Sequence, residues 1–180
     1  MELLKLLLVF GLLCKTIDAE TIGQVEENVS FSVNQPWAIN DHLSYGFAAA
    51  YIEGQDENDW CWGCYELSFT SGPVVGKRMI VQVTNTLEAL GPVHFDIQMP
   101  GGGVGGVNGC APQWSPPYDG WGEQFGGVSN ITQCDQLPEE LQSGCRWRFQ
   151  WFEDANNPDF TFIPFECPIE ITLRSGYIRV

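Results

Sequence analysis

The chain has 180 residues, and its 8 Lys and Arg stand against 23 Asp and Glu, a net charge of −15. Such a surface repels phosphate backbones and anionic membranes, which excludes nucleic acid and bilayers as expected partners and favours a neutral polymer or small molecule. With 44% hydrophobic and 17% charged residues, 20 Gly, 11 Pro, 7 Cys and 7 Trp, the chain is neither a disordered tail nor a coiled coil, and a secreted, loop-rich β protein fits it best.

Residues 1–19 read as a secretory signal. Leu6–Cys14 is an apolar run too short to span a bilayer, Lys5 supplies a positive start, and Ile17-Asp18-Ala19 makes an acceptable cleavage site. A secreted, extracellular protein is therefore expected, with a digestive lumen as one setting. The sequons Asn28-Val29-Ser30 and Asn130-Ile131-Thr132 make Asn28 and Asn130 candidate glycosylation sites. Residues 20–33 form a short polar segment, and residues 34–180 are long enough for one domain. The spacing of Leu43, Phe47, Ala50 and Tyr51 predicts a helix over Asn40–Glu53, capped by Asn40 or Asp41. An acidic loop, Gly54–Asp59, follows.

The period then switches to two. Tyr65–Thr70 and Met79–Thr84 alternate like strands around the Ser71-Gly72-Pro73 turn. Val93–Met99 is the cleanest strand, with Val93, Phe95, Ile97 and Met99 on one face and His94, Asp96 and Gln98 on the other. Pro100–Cys110 is a glycine-rich loop and Gln113–Gly127 a long aromatic one. Asp135–Gly144 reads as a short helix that Gly144 stops, Cys145–Phe152 as a strand, and Phe160–Pro164 and Ile169–Arg174 as further strands. The sum is a small, mainly β domain with long loops, a closed barrel being the expected architecture.

Asp96 is the most suggestive acid. It lies mid-strand between large apolar neighbours and shares a face with His94, and a partly desolvated carboxyl suits a general acid. The bland alternative is an Asp bonded to nearby backbone or to an Arg. The glycine loop carries no Gly-Lys-Ser/Thr and opens no helix, so a backbone turning sharply beside a ligand is the better reading. In the aromatic loop, Trp114, Tyr118, Trp121 and Phe125 either stack on sugar rings or cover the core. Once the leader is removed, Cys61, Cys64, Cys110, Cys134, Cys145 and Cys167 suggest up to three disulfides, with the connectivity open. Cys61 and Cys64 form a C-x-x-C pair followed by a strand rather than a helix, and only two His are present, so neither a thioredoxin-like site nor zinc is expected. No cofactor is expected.

From about Asn34 onward the chain resembles glycoside hydrolase family 45, the small secreted endo-β-1,4-glucanases (cellulases), and most of all those of beetles and other invertebrates. The resemblance rests on Gln35-Pro36-Trp37-Ala38-Ile39-Asn40-Asp41, Gly46-Phe47-Ala48-Ala49, Cys64-Tyr65-Glu66-Leu67 and Phe69-Thr70-Ser71-Gly72-Pro73-Val74. It continues through His94-Phe95-Asp96-Ile97-Gln98-Met99-Pro100-Gly101-Gly102-Gly103-Val104-Gly105, Gly126-Gly127, Cys145-Arg146-Trp147-Arg148-Phe149 and Asn157-Pro158. It implies a six-stranded double-psi β-barrel crossed by an open groove. It also implies inverting cleavage of internal β-1,4-glucosidic bonds in cellulose, or in a relative such as xyloglucan or mixed-linkage glucan, by a monomer. In that mechanism an acid protonates the leaving oxygen while a base across the sugar activates water. Asp96 matches the acid, and His94 its neighbour. The implied disulfides are Cys134–Cys145 and Cys64–Cys167.

The chain departs from the family pattern at its N-terminal side. The family's Thr-x-Tyr-Trp-Asp-Cys-Cys-like stretch, whose Asp is the base, has no match in residues 20–33, and with it the first barrel strand is expected to be missing. Where members often carry a third Asp before the acid strand, this chain has Ala89, with Glu88 beside it as a speculative substitute base. The usual Tyr before the Gly-Gly pair is Phe125. Trp62 and Tyr177 replace the two cysteines of one family bridge, and Cys61 and Cys110 are left without their usual partners unless they pair with each other. These departures keep open an impaired cellulase, an expansin-like glycan-binding protein without hydrolysis, and an inactive remnant.

Overall fold

The computed structural model describes residues 34–87, 92–105, 108, 110 and 114–179. The signal, the polar segment, Asn28 and Glu88 lie outside the described residues. The elements run in the order β1 (Trp37–Asn40), β2 (Leu43–Ile52), α1 (Glu57–Trp60), β3 (Cys64–Phe69), β4 (Arg78–Thr86), β5 (Val93–Ile97), a 3-10 helix (Ile131–Gln136), α2 (Glu139–Gln150), β6 (Phe160–Phe165) and α3 (Ile169–Ser175). The fold is mainly β.

The segment expected to be one helix, Asn40–Glu53, is instead the end of β1, a tight turn and β2. Asn40 does cap, but it caps a turn: its Oδ1 accepts from the backbone N–H of His42 and of Leu43, each at 2.9 Å. β2 then pairs on both edges. It runs parallel to β4 on one side and antiparallel to β1 and then β5 on the other. A strand buried on both faces reads as a near-continuous apolar run, which periodicity alone does not separate from a helix. Ala48, Ala49 and Ala50 favour helix intrinsically, and the hydrogen bonds along both edges override that preference.

The six strands form one sheet in the order β1-β2-β4-β3-β6, with β5 joined to β2 beyond the end of β1. Among the described residues the sheet stays open, because no ladder joins β5 to β6. It curls so far, however, that Phe95 of β5 packs against Phe160 and Phe162 of β6, with ring centroids 5.8 and 5.4 Å apart. Inside the curl lies the main core: Ala48, Ala50, Tyr65, Leu67, Phe69, Met79, Val81, Val83, Phe95 and Ile97 from the sheet, with Trp147, Trp151 and Phe152 from the helical side. The opposite face carries a smaller cluster in which Phe47, Cys64 and Ile80 meet Ile171 of α3.

The structure departs from three further expectations. Residues 145–152 are not a strand: α2 starts after Pro138, runs through Gly144 and ends at Gln150. Trp147 and Trp151 alternate with Arg148 in the sequence, but they are also one helical turn apart. Their rings stack with centroids 5.4 Å apart, and their indole N–H groups donate to Ser44 Oγ and to the Asn40 carbonyl, each at 2.8 Å. Gly144 is not a stop but a close-approach residue. Its backbone N–H donates to Gln35 Oε1 at 2.7 Å, and the Gln35 amide donates to the Glu140 carbonyl at 2.8 Å. Residues 169–174 form α3 rather than a strand. Pro168 precedes it, and Gly176 ends it in the left-handed conformation at φ 76°. Only Ile171 of the alternating Ile169, Ile171 and Leu173 is buried.

Disulfides join Cys64 to Cys167 and Cys134 to Cys145. Cys61 and Cys110 do not pair with each other, since Cys61 is disulfide-bonded elsewhere and Cys110 is a free thiol. Trp62 and Tyr177 stack with centroids 3.9 Å apart, so an aromatic contact joins the two points where the resemblance implies a bridge.

Two measurements check this packing. Cys64 and Cys167 are 103 residues apart, and closing a loop of that size stabilises by about 4–5 kcal/mol in the chain-entropy model. Replacing both by Ser is expected to lower the unfolding free energy by a comparable amount, measured by chemical denaturation. Gly144→Ala tests the sign of a competition. Helix propensity alone favours Ala by about 1 kcal/mol. A Cβ at 144, however, would meet Gln35 Oε1 at 2.5 Å, Gln35 Cβ at 2.8 Å and Pro100 Cγ at 2.9 Å. Net destabilisation of about 1–3 kcal/mol is expected from such overpacking; a stabilised variant would contradict the packing.

Candidate functional site

β5 positions the two titratable groups of the site. Phe95 and Ile97 turn into the main core, so the pleat sends His94 and Asp96 to the other face. Both side chains are 3% exposed, and His94 Nε2 lies 2.7 Å from Asp96 Oδ1. That bond needs one proton between the two atoms: either the ring N–H donates to the carboxylate, or the carboxyl O–H donates to the neutral ring. A bare buried carboxylate is costly, and the imidazole offsets that cost. Asp96 thus has a titratable partner placed to receive or return a proton.

The sheet register completes the row. Asp96 sits opposite Ala49 of β2, and Ala49 sits opposite Asn85 of β4. Residues in register share a face, so Asp96, Ala49 and Asn85 lie side by side on the face away from the main core. Asn85 is buried and its Oδ1 accepts from the Thr86 N–H at 2.9 Å. Gln98, just past β5, donates to Thr84 Oγ1 at 3.1 Å.

Past Met99 the chain enters the glycine loop, which packs backbone to backbone against the end of the aromatic loop. The Val128 N–H donates to the Gly101 carbonyl and the Gly105 N–H to that of Gln124, each at 2.9 Å. Gly127, at φ 73°, lies so close that an added Cβ would fall 1.8 Å from the Gly101 oxygen. Here glycine is required both for its conformation and for the approach. Arg148 of α2 spans the junction, with Nη1 donating to the Gly101 carbonyl at 3.1 Å and to the Gly126 carbonyl at 2.8 Å. Composition and periodicity give Arg148 no role; its signals in the sequence are its place in the Cys145-Arg146-Trp147-Arg148-Phe149 run and the small number of cations in an acidic chain.

The four candidate aromatics divide. Trp114 and Trp121 are half-buried and pack on a second cluster of Val128, Cys134, Leu137, Leu141 and Cys145. Tyr118 and Phe125 are 88% and 71% exposed. Two therefore cover a core and two stand free. Asn130 is exposed at the start of the 3-10 helix, where its Oδ1 accepts from the Thr132 N–H at 3.1 Å. Burial pushes the Cys110 thiol up from its ordinary value, away from a reactive thiolate.

Comparison with known proteins bears on this geometry. The model of glycosyl hydrolase family 45 matches residues 17–177. A Fusarium oxysporum protein is 56% identical over 144 residues, covering 80% of this chain and 38% of its own length. An endoglucanase of Cryptopygus antarcticus is 46% identical over 166 residues, 91% of this chain and 73% of the relative. The crystal structure of the cellulase from that Antarctic springtail superimposes with a TM-score of 0.76 at 48% identity, covering 79% of this chain and 68% of the other. The chain thus spans well under half of the fungal relative and about three quarters of the springtail one.

The division among the aromatics sets up a paired test. Trp121→Ala removes part of the cover over a buried cluster and is expected to destabilise by about 2–4 kcal/mol. Phe125→Ala removes an exposed ring and is expected to stay within about 0.5 kcal/mol of the parent. Chemical denaturation of both variants checks the contrast.

Proposed function

Because the chain belongs to glycosyl hydrolase family 45, we propose that it acts on internal β-1,4-glucosidic bonds of cellulose or a related β-glucan, with inversion. The observation that carries this reading is the buried His94–Asp96 pair at 2.7 Å, set in a strand that leads directly into the glycine loop. Asp96 is the general acid that protonates the leaving oxygen. His94 supports it, holding the carboxyl by a hydrogen bond and sharing its proton. Tyr118 and Phe125, exposed as they are, are the sugar platforms, and Trp114 and Trp121 contribute their free edges. Glycosylation of Asn130, secretion and a monomeric state belong to the same proposal.

Inversion also needs a group that deprotonates water from across the ring, its carboxyl roughly 6.5–9.5 Å from the acid. The 180 residues contain no Tyr-Trp-Asp-Cys-Cys-like stretch, and Glu88, near the acid's strand in sequence, is a speculative substitute. Turnover well below that of the springtail relative is expected. The same feature favours a second reading, a glycan-binding protein of expansin type in which stacking outlasts catalysis.

The experiment measures reducing ends released from carboxymethylcellulose, alongside retardation of the folded protein in glucan-containing gels. Asp96→Asn is expected to lose about 10²–10⁴-fold of whatever activity the parent has, and full activity in that variant would remove Asp96 from the role. Retardation without release of reducing ends would select the binding reading.

A further inference from the structure

Two side chains cross the junction between the two loops: Gln124 donates from Nε2 to the Gly105 carbonyl at 2.9 Å, and Arg148 reaches both loops from α2. Arg148 leaves the last turn of α2 with its side chain largely buried, 15% exposed. One edge is fixed by Asp154, whose Oδ1 accepts from Nε at 2.8 Å and lies 2.7 Å from Nη2. The other edge reaches two carbonyls on different loops, Gly101 at 3.1 Å and Gly126 at 2.8 Å. Gly101 belongs to the connection that continues the strand of Asp96, and Gly126 adjoins the exposed ring of Phe125. The Gly101 oxygen also accepts from the Val128 N–H at 2.9 Å, so the two loops meet on that atom.

We propose that Arg148 is a positioning residue that sets the distance between the proton donor and the Phe125 sugar platform by clamping the glycine loop to the aromatic loop. A planar guanidinium with five donors in a fixed fork serves two carbonyls and a carboxylate at once, whereas an ammonium is a point charge that does not span them. Asp154 acts through Arg148 by fixing the plane of the fork. Phe125 is exposed on a loop; on one side of it Gln124 is bonded to Gly105, and on the other the Gly126 carbonyl is tied down by Arg148. Loosening the clamp moves the platform and leaves the acid in place, since His94 and Asp96 are held by β5 and its ladder to β2. This inference rests on the glucanase reading for its kinetic consequence, but not for its mechanical one.

Both consequences are measured on the full chain in Arg148→Lys and Asp154→Asn. Amide hydrogen exchange is expected to quicken by about tenfold in residues 101–105 and 124–128 of Arg148→Lys, with β2 and β4 unchanged. On a soluble cello-oligosaccharide, KM is expected to rise about fivefold to tenfold while kcat stays within about twofold. Asp154→Asn shows the same pattern at smaller amplitude and keeps the test alive if Arg148→Lys folds poorly. Exchange that is unchanged, or that quickens throughout the sheet, overturns the clamp; so does a fall in kcat at constant KM. Should the parent protein release no reducing ends, the glucanase reading fails, and the exchange pattern together with glucan-gel retardation of the variants still decides for or against Arg148.

Discussion

The structure turns on the double pairing of β2. Along its length this strand is bonded to β4 on one edge, and on the other first to β1 and then to β5. A strand so enclosed has no freedom of register, because a one-residue slip would send Phe47 into the main core and Ala48 out of it. The small residues at its far end are part of the constraint. Ala49 stands between Asp96 and Asn85, so the polar row of the site is built across a methyl group. A bulkier side chain there would separate the flanking strands or cover the carboxyl.

The second structural commitment is made by α2, which joins β1, β2 and the 3-10 helix to the two loops of the site. Its tryptophans fill the curl of the sheet and bond to β1 and β2 through their indole N–H groups. Cys145 ties it to the 3-10 helix, and Gly144 admits Gln35 and Pro100 against its backbone. Arg148 reaches outward from the same helix to both loops. Core packing and loop placement are therefore coupled through one rigid element, which is how a site on loops acquires definition.

The chain also shows that one staple can stand in for another. Trp62 and Tyr177 stack where the family resemblance implies a disulfide. An aromatic contact of that kind contributes about 0.5–1.5 kcal/mol beyond the area it buries, less than a covalent cross-link over a long loop. The Cys64–Cys167 bond lies nearby in the chain and carries the larger restraint on the C-terminal segment. Cys110 is a free thiol and takes part in neither.

By itself the sequence determined the elements whose signals are local. The alternation in Val93–Ile97 predicted a strand with His94 and Asp96 on one face, and β3, β4 and β6 were legible for the same reason. The family was legible from ordered motifs such as His94-Phe95-Asp96 with its glycine loop. Tertiary structure decided what periodicity leaves ambiguous. Leu43–Ile52 became a strand because it found hydrogen-bonding partners on both edges, and residues 145–150 became helix because Trp147 and Trp151 fill the core one turn apart. Residues 169–175 coiled because Pro168 and Gly176 bound a segment with only one face to bury. It also separated Trp114 and Trp121, which cover a core, from Tyr118 and Phe125, which do not, and it gave Arg148 its place. Each of these outcomes depends on contacts between residues far apart in the chain, and such contacts leave no period in the sequence.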